Sequence, residues 1–160
     1  MDPESFFNDS NGRKVSAHEV VDEVVKFMKG DEKRRYKVII GTDSQQTGDD
    51  SDFVTAVVVH RVGNGGRYFW CRSENVKFYT IRDRIIEEVL LSIDVAKEIL
   101  MFLKSATTIP FNFEIHADVG VNGETKSMIS EVVGMIKAND FEARTKPDSY
   151  AASKVADRHT

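Results

Sequence analysis

Apolar positions along the chain follow two periods, and the switches between them mark out the elements. From 17 to 29 they recur at helical spacing, as Val20, Val21, Val24, Val25, Phe27 and Met28, behind a Ser16/Glu19 capping box and ahead of Gly30, which supplies a stop. The charge run DEKRRYK at 31–37 reads as a solvated connection, with phosphate contact by Lys33, Arg34 and Arg35 as the lesser reading. Val38, Ile39 and Ile40 are β-branched and bounded by charge and glycine, which predicts a buried strand delivering Asp43 at its C-terminal end, between Thr42 and Ser44. Beyond the polar, turn-rich QQTGDDSD, the run FVTAVVVHRV at 53–62 predicts a second strand, GNGG at 63–66 a hairpin turn, and 67–77 a third strand. Period two sets Tyr68 and Trp70 on one face of that third strand and Phe69 and Cys71 on the other. Such aromatics are open to core packing or to stacking on bases.

At 80–104 the pattern returns to helix, with Thr80 as N-cap and a stripe of Ile81, Ile85, Glu88, Ser92, Val95, Ile99 and Phe102. Glu88 stands in the middle of that apolar stripe, whereas Glu87 projects with Asp83, Asp94 and Glu98 as an ordinary solvated acid. A carboxylate facing a core must be neutralised, paired or bound to a cation, because burying it bare costs several kcal/mol. An ion pair with Arg84, four residues earlier, is the alternative to a cation. Residues 107–110 break the helix, and FNFEIHAD at 111–118 alternates as a strand: Phe111, Phe113 and Ile115 on one face, Asn112, Glu114, His116 and Asp118 on the other. A glycine-rich turn then feeds a helix over 124–138, FEARTK reads as a short fifth strand, and Pro147 opens a last helix through Ser149, Ala152, Val155 and Ala156 to Asp157.

Three antiparallel strands followed by alternating strands and helices predict an α/β domain: a mixed five-stranded sheet with helices packed on it and an extra helix at the N-terminus. At 160 residues there is room for one domain, expected over 16–160, with 1–15 as a flexible N-terminal segment. Composition narrows the function classes. Hydrophobic content of 41% with 30% charged residues is that of a globular soluble chain, and with neither a signal-peptide pattern nor a membrane-length apolar run the expected location is the cytoplasm, with no membrane partner. A net charge of −4 argues against holding nucleic acid by an overall positive field. One cysteine, Cys71, excludes an intrachain disulfide or a cysteine-rich zinc site, and its apolar surroundings argue against a nucleophile. The histidines at 18, 60, 116 and 159 lack paired metal-ligand spacing.

Reactive groups in mixed sheets gather at the carboxyl ends of neighbouring strands. If the first and fourth strands pair in parallel, Asp43 and Asp118 share that edge, and with Glu88 and Asp157 they make four candidate acids for one site. Three have a plainer alternative, a turn residue for Asp43 and Asp118 and the ion pair with Arg84 for Glu88.

This order of elements and acids resembles the ribonuclease H-like superfamily. More narrowly, GTDSQ, IRDRIIEEVLLSIDVA, HADVGVNGETK and KPDSYAASKVADRHT resemble the YkuK-type family within it, over 36–160. The resemblance implies a ribonuclease H-like fold, with Asp43, Glu88, Asp118 and Asp157 at the positions of the superfamily's catalytic, metal-binding acids. It further implies two Mg²⁺ or Mn²⁺ ions and hydrolysis of phosphodiester bonds in RNA, RNA/DNA hybrid or structured nucleic acid. Hard divalent ions do prefer oxygen ligands, and a pair roughly 4 Å apart suits phosphoryl transfer. Candidate substrate or supporting residues are Ser44, Gln45, His116, Lys146, Lys154 and Arg158. Two departures stand out: Ser44 follows the first acid where the pattern has glycine, and His159 comes after the last acid rather than before it. The competing class is a non-catalytic nucleic-acid-binding or scaffolding module on the same fold, and the acidic balance favours it.

Overall fold

The β-branched runs become the centre of a sheet, and the helical runs cover one of its faces. This computed structural model describes residues 6–48, 50–77 and 80–149. In chain order the elements are β1 (Phe7–Asp9), β2 (Lys14–Val15), α1 (Ala17–Lys29), β3 (Tyr36–Thr47), β4 (Asp50–Arg61), β5 (Gly66–Lys77), α2 (Ile81–Ala106), β6 (Asn112–His116), a 3-10 turn (Lys126–Met128), α3 (Ile129–Ala138) and β7 (Glu142–Arg144). The strand order is β2-β1-β5-β4-β3-β6-β7. β3, β4 and β5 are antiparallel neighbours, while β6 joins β3, and β7 joins β6, in parallel.

Val38, Ile40, Val57, Val59, Phe69 and Ile115 point to one face and form a single core with the buried sides of α1, α2 and α3. Burying a side chain of this size contributes about 1.5–3 kcal/mol, so this face dominates stability. Helix α1 starts as expected: the Ser16 hydroxyl accepts from Glu19 N–H, and the Glu19 side chain returns to the Ser16 backbone. Ile39 and Ala56 lie on the second face with Val58 packed against them. The chain reverses between β4 and β5 through Gly63 and Gly65, both at positive φ (78° and 80°), which is why glycine stands there.

Four expectations are corrected. The sheet holds seven strands rather than five. The two additional ones lie within 1–15, the segment expected to be a flexible lead-in: β1 pairs with β5, and Phe7 is fully buried. Strands this short carry no readable period, and the anchor is one aromatic. Asp43 does not end its strand, because β3 runs on to Thr47 in register with β4. Of the polar stretch expected as a turn, 45–47 extend β3 as an exposed arm, whose ladder hydrogen bonds need no apolar face, and 50–52 begin β4 with Ser51 buried. Lastly, the helix expected from 124 starts as a 3-10 turn at Lys126 and becomes α-helical at Ile129. The expected last helix is a further correction where it can be seen, since residues 147–149 form a turn and bend rather than a first helical turn; the rest of it lies outside the described residues, as do Lys154, Asp157, Arg158 and His159.

Candidate functional site

Parallel pairing of β3 with β6 ends at Gly41↔His116. Asp43 and Asp118 each follow two residues later, so the register that aligns the glycine with the histidine carries both acids past the end of the parallel pair on neighbouring strands. Helix α2 brings the third acid. Its core-facing stripe is as the spacing predicts through Ile85, Glu88, Ser92, Val95 and Ile99, and Glu88 is only 6% exposed. The helix is seated there by hydroxyls: Thr42 Oγ1 lies 2.7 Å from Ser92 Oγ and 2.9 Å from Thr55 Oγ1, all three residues buried. Buried hydroxyls require such partners, so this chain fixes the height of α2, and with it Glu88, over the sheet.

Glu88 is the most perturbed acid of the site. Burial, then the negative fields of Asp43 and Asp118, push its carboxyl up to about 8 against an opposing hydrogen bond from Ser44. That bond runs from Ser44 Oγ to Glu88 Oε2 at 3.1 Å, and the Ser44 N–H donates to Asp43 Oδ1 at 2.9 Å. Ser44, the departure from the expected glycine, therefore ties two of the acids together. The anticipated Arg84 pairing is not the neutralising contact: Arg84 exerts the weakest of the fields on Glu88, and its buried Nε has no hydrogen-bond partner among the described residues. Asp118 is held differently, by Lys146 Nζ at 2.8 Å from Oδ1.

Three carboxylates are thus brought within electrostatic reach of one another, while Asp157 lies outside the described residues. As oxygen donors they fit a hard divalent cation in kind. Among the described residues, though, no three His, Cys, Asp or Glu side chains converge closely enough to hold an ion as they stand. Gln45 is exposed on β3, opposite Asp52 of β4.

His116 borders the small pocket lined by Thr42, Glu88, Ser92 and Asp118, and its ring also joins a second polar group around Glu114. Its Nε2 lies 3.0 Å from Glu114 Oε1, while Lys37 Nζ (3.7 Å) and Arg144 Nη2 (3.4 Å) flank Glu114 Oε2. Glu114 is 2% exposed, so its carboxyl oxygens meet side-chain partners rather than bulk water. Burial holds the imidazole of His116 below its usual range, in the neutral form at neutral pH. Its Nδ1 has no hydrogen-bond partner among the described residues. These groups edge a groove of about 620 Å³ floored by Ile39, Val58 and Tyr68. The sequence pattern places Glu114 and His116 on the polar side of β6, but gives no sign that Arg144, on the neighbouring β7, flanks Glu114. The hydroxyl chain was half visible, in Thr42 beside Asp43 and Ser92 on the stripe; Thr55 gave no signal in a run of apolar residues.

Antiparallel β3–β5, parallel β6 and β7, and acids gathered past the end of the parallel pair define an α/β protein of the ribonuclease H-like class. The chain belongs to the Ribonuclease H-like family, whose model matches residues 19–160. It is also 32% identical over 168 aligned residues to the uncharacterized protein YkuK of Bacillus subtilis (strain 168), an alignment covering 97% of this chain and 96% of that protein.

Proposed function

We propose that the chain is a divalent-metal-dependent nuclease that hydrolyses phosphodiester bonds in RNA, RNA/DNA hybrid or structured nucleic acid. The observation that carries the reading is Glu88, a carboxyl buried on α2 and pushed up to about 8 by burial and by the fields of Asp43 and Asp118. Acids collected against their own repulsion are what a cation-binding site requires and what a purely structural site avoids. Asp43, Glu88 and Asp118, with Asp157 from the C-terminal segment, would hold Mg²⁺ or Mn²⁺. When bound, such ions supply Lewis-acid stabilisation of the charge that develops on the phosphoryl group and the leaving oxygen. The protein's own part is positional. Ser44 orients Glu88 through its hydroxyl and Asp43 through its N–H, and the Thr42–Ser92 contact holds the helix carrying Glu88 against the strand carrying Asp43.

A second reading, a nucleic-acid-binding or scaffolding module without turnover, is favoured by one observation: Asp118 already has a counter-ion in Lys146. One experiment separates the two. Wild type and Asp43→Asn are incubated with Mn²⁺ or Mg²⁺ and a panel of single-stranded, hybrid and branched nucleic acids. The nuclease reading expects cleavage of some substrate by wild type and none by the variant, whereas binding without cleavage by both supports the scaffold.

A further inference from the structure

Lys146 is more than a neighbour of Asp118. Its backbone N–H donates to Val119 O at 2.8 Å, and Ala117 N–H donates to Arg144 O at 2.9 Å, so the segment after β7 runs alongside the one after β6. The lysine stem lies against buried Gly120, where any added Cβ would stand 2.9 Å from Lys146 Cβ. Such a distance is not tolerated between carbons, so glycine at this position is what lets the stem pass. Two backbone contacts and a glycine therefore aim one ammonium at one of the three acids, and its Nζ stands 2.8 Å from Asp118 Oδ1. The pair is still open to water, with the lysine side chain 58% exposed.

Taking the acids as the cation site proposed above, on which this step rests, we propose that Lys146 is a built-in, exchangeable counter-ion. It occupies Asp118 while the site lacks metal and competes with the divalent cation for that carboxylate. A monovalent ammonium in an exposed pair holds its partner weakly, since such pairs change an equilibrium by about two- to fivefold. A divalent cation, facing Asp43 and Glu88 as well, displaces it. The anchored stem then keeps the released ammonium beside the site, where the anionic phosphate of a nucleic acid is the natural new partner. This accounts for acids that are gathered but not closed around a common point.

The test titrates Mn²⁺ into the full chain and reads the free ion by its electron paramagnetic resonance signal, so that no turnover is needed. Lys146→Met keeps the stem and removes the charge, and Lys146→Gln repeats the removal should the methionine variant fail to fold. Lys146→Arg keeps the charge, and Lys126→Met removes an exposed charge from the 3-10 turn that comes after Asp118. The proposal expects wild type to bind Mn²⁺ and Lys146→Met to bind it about two- to fivefold tighter, with little change in the arginine and Lys126 variants. Binding by wild type with equal or weaker binding by Lys146→Met overturns the counter-ion while leaving the metal site standing. Equal tightening in Lys126→Met also overturns it, because net charge alone would then explain the effect. If no variant and no wild type binds, the metal reading falls and the counter-ion with it.

Discussion

The carboxyl of Glu88 makes the metal-free protein's stability depend on pH in an unusual direction. In the unfolded chain this group titrates near 4.5, and in the fold near 8. Between those values the folded protein holds a proton that the unfolded chain has lost. Stability from this group is therefore complete below about 4.5, falls as pH rises toward 8, and is flat above it. At about 1.4 kcal/mol per pH unit, the full fall is about 5 kcal/mol, with about 3 kcal/mol already lost at pH 7. Most acids lose stabilisation in the opposite sense, as pH drops. Glu88→Gln removes the titration while keeping a carbonyl that accepts from Ser44 Oγ. Urea unfolding of both proteins in EDTA, from pH 5 to 9, isolates the term as their difference. The expected result is a variant that gains on wild type by several kcal/mol across that range, with millimolar Mg²⁺ returning most of the loss to wild type only. A difference that stays constant with pH, or that moves in wild type's favour as pH rises, refutes the reasoning, because Glu88 would then be an ordinary ionised acid.

Three further outcomes follow from the geometry. Thr42→Val leaves Ser92 and Thr55 without their shared partner and is expected to cost about 1–3 kcal/mol in chemical denaturation, whereas Thr42→Ser costs less. Phe7→Ala empties a fully buried position through which β1 joins the common core; it is expected to cost about 3–5 kcal/mol and to raise amide exchange through β1 and β2. Burial, reinforced by Glu98, pushes the Cys71 thiol up to about 12, so a thiol reagent at pH 8 is expected to label it far more slowly in the native protein than in denaturant.

How far the site was legible depended on whether its signals were local. Glu88 stood out because a charge on an apolar helical stripe breaks a period, and that stripe is buried at Ile85, Glu88, Ser92, Val95 and Ile99. Asp43 was found beside its hydroxyls but misplaced at a strand end, since polar residues 45–48 in an exposed hairpin arm look the same in sequence as a turn. Ser44 could be flagged only as a missing glycine; that its hydroxyl meets Glu88 is a contact between residues 44 positions apart. Lys146 on Asp118, and Lys37 and Arg144 on Glu114, are likewise products of strand order, which pattern alone does not specify. β1 was invisible because a three-residue strand has no period to detect. The relationship of the chain to its family rested instead on the two long C-terminal motifs, HADVGVNGETK and KPDSYAASKVADRHT, and the family match over 19–160 agrees with them.

The central claim is that Asp43, Glu88 and Asp118 are gathered to hold divalent cations. Crystals soaked in millimolar Mn²⁺ and measured at the manganese absorption edge test it most directly. The expected result is anomalous density among these three carboxylates, as a pair of ions roughly 4 Å apart, with Lys146 Nζ displaced from Asp118. Soaked crystals with no manganese at these carboxylates, and with Lys146 still on Asp118, would contradict it.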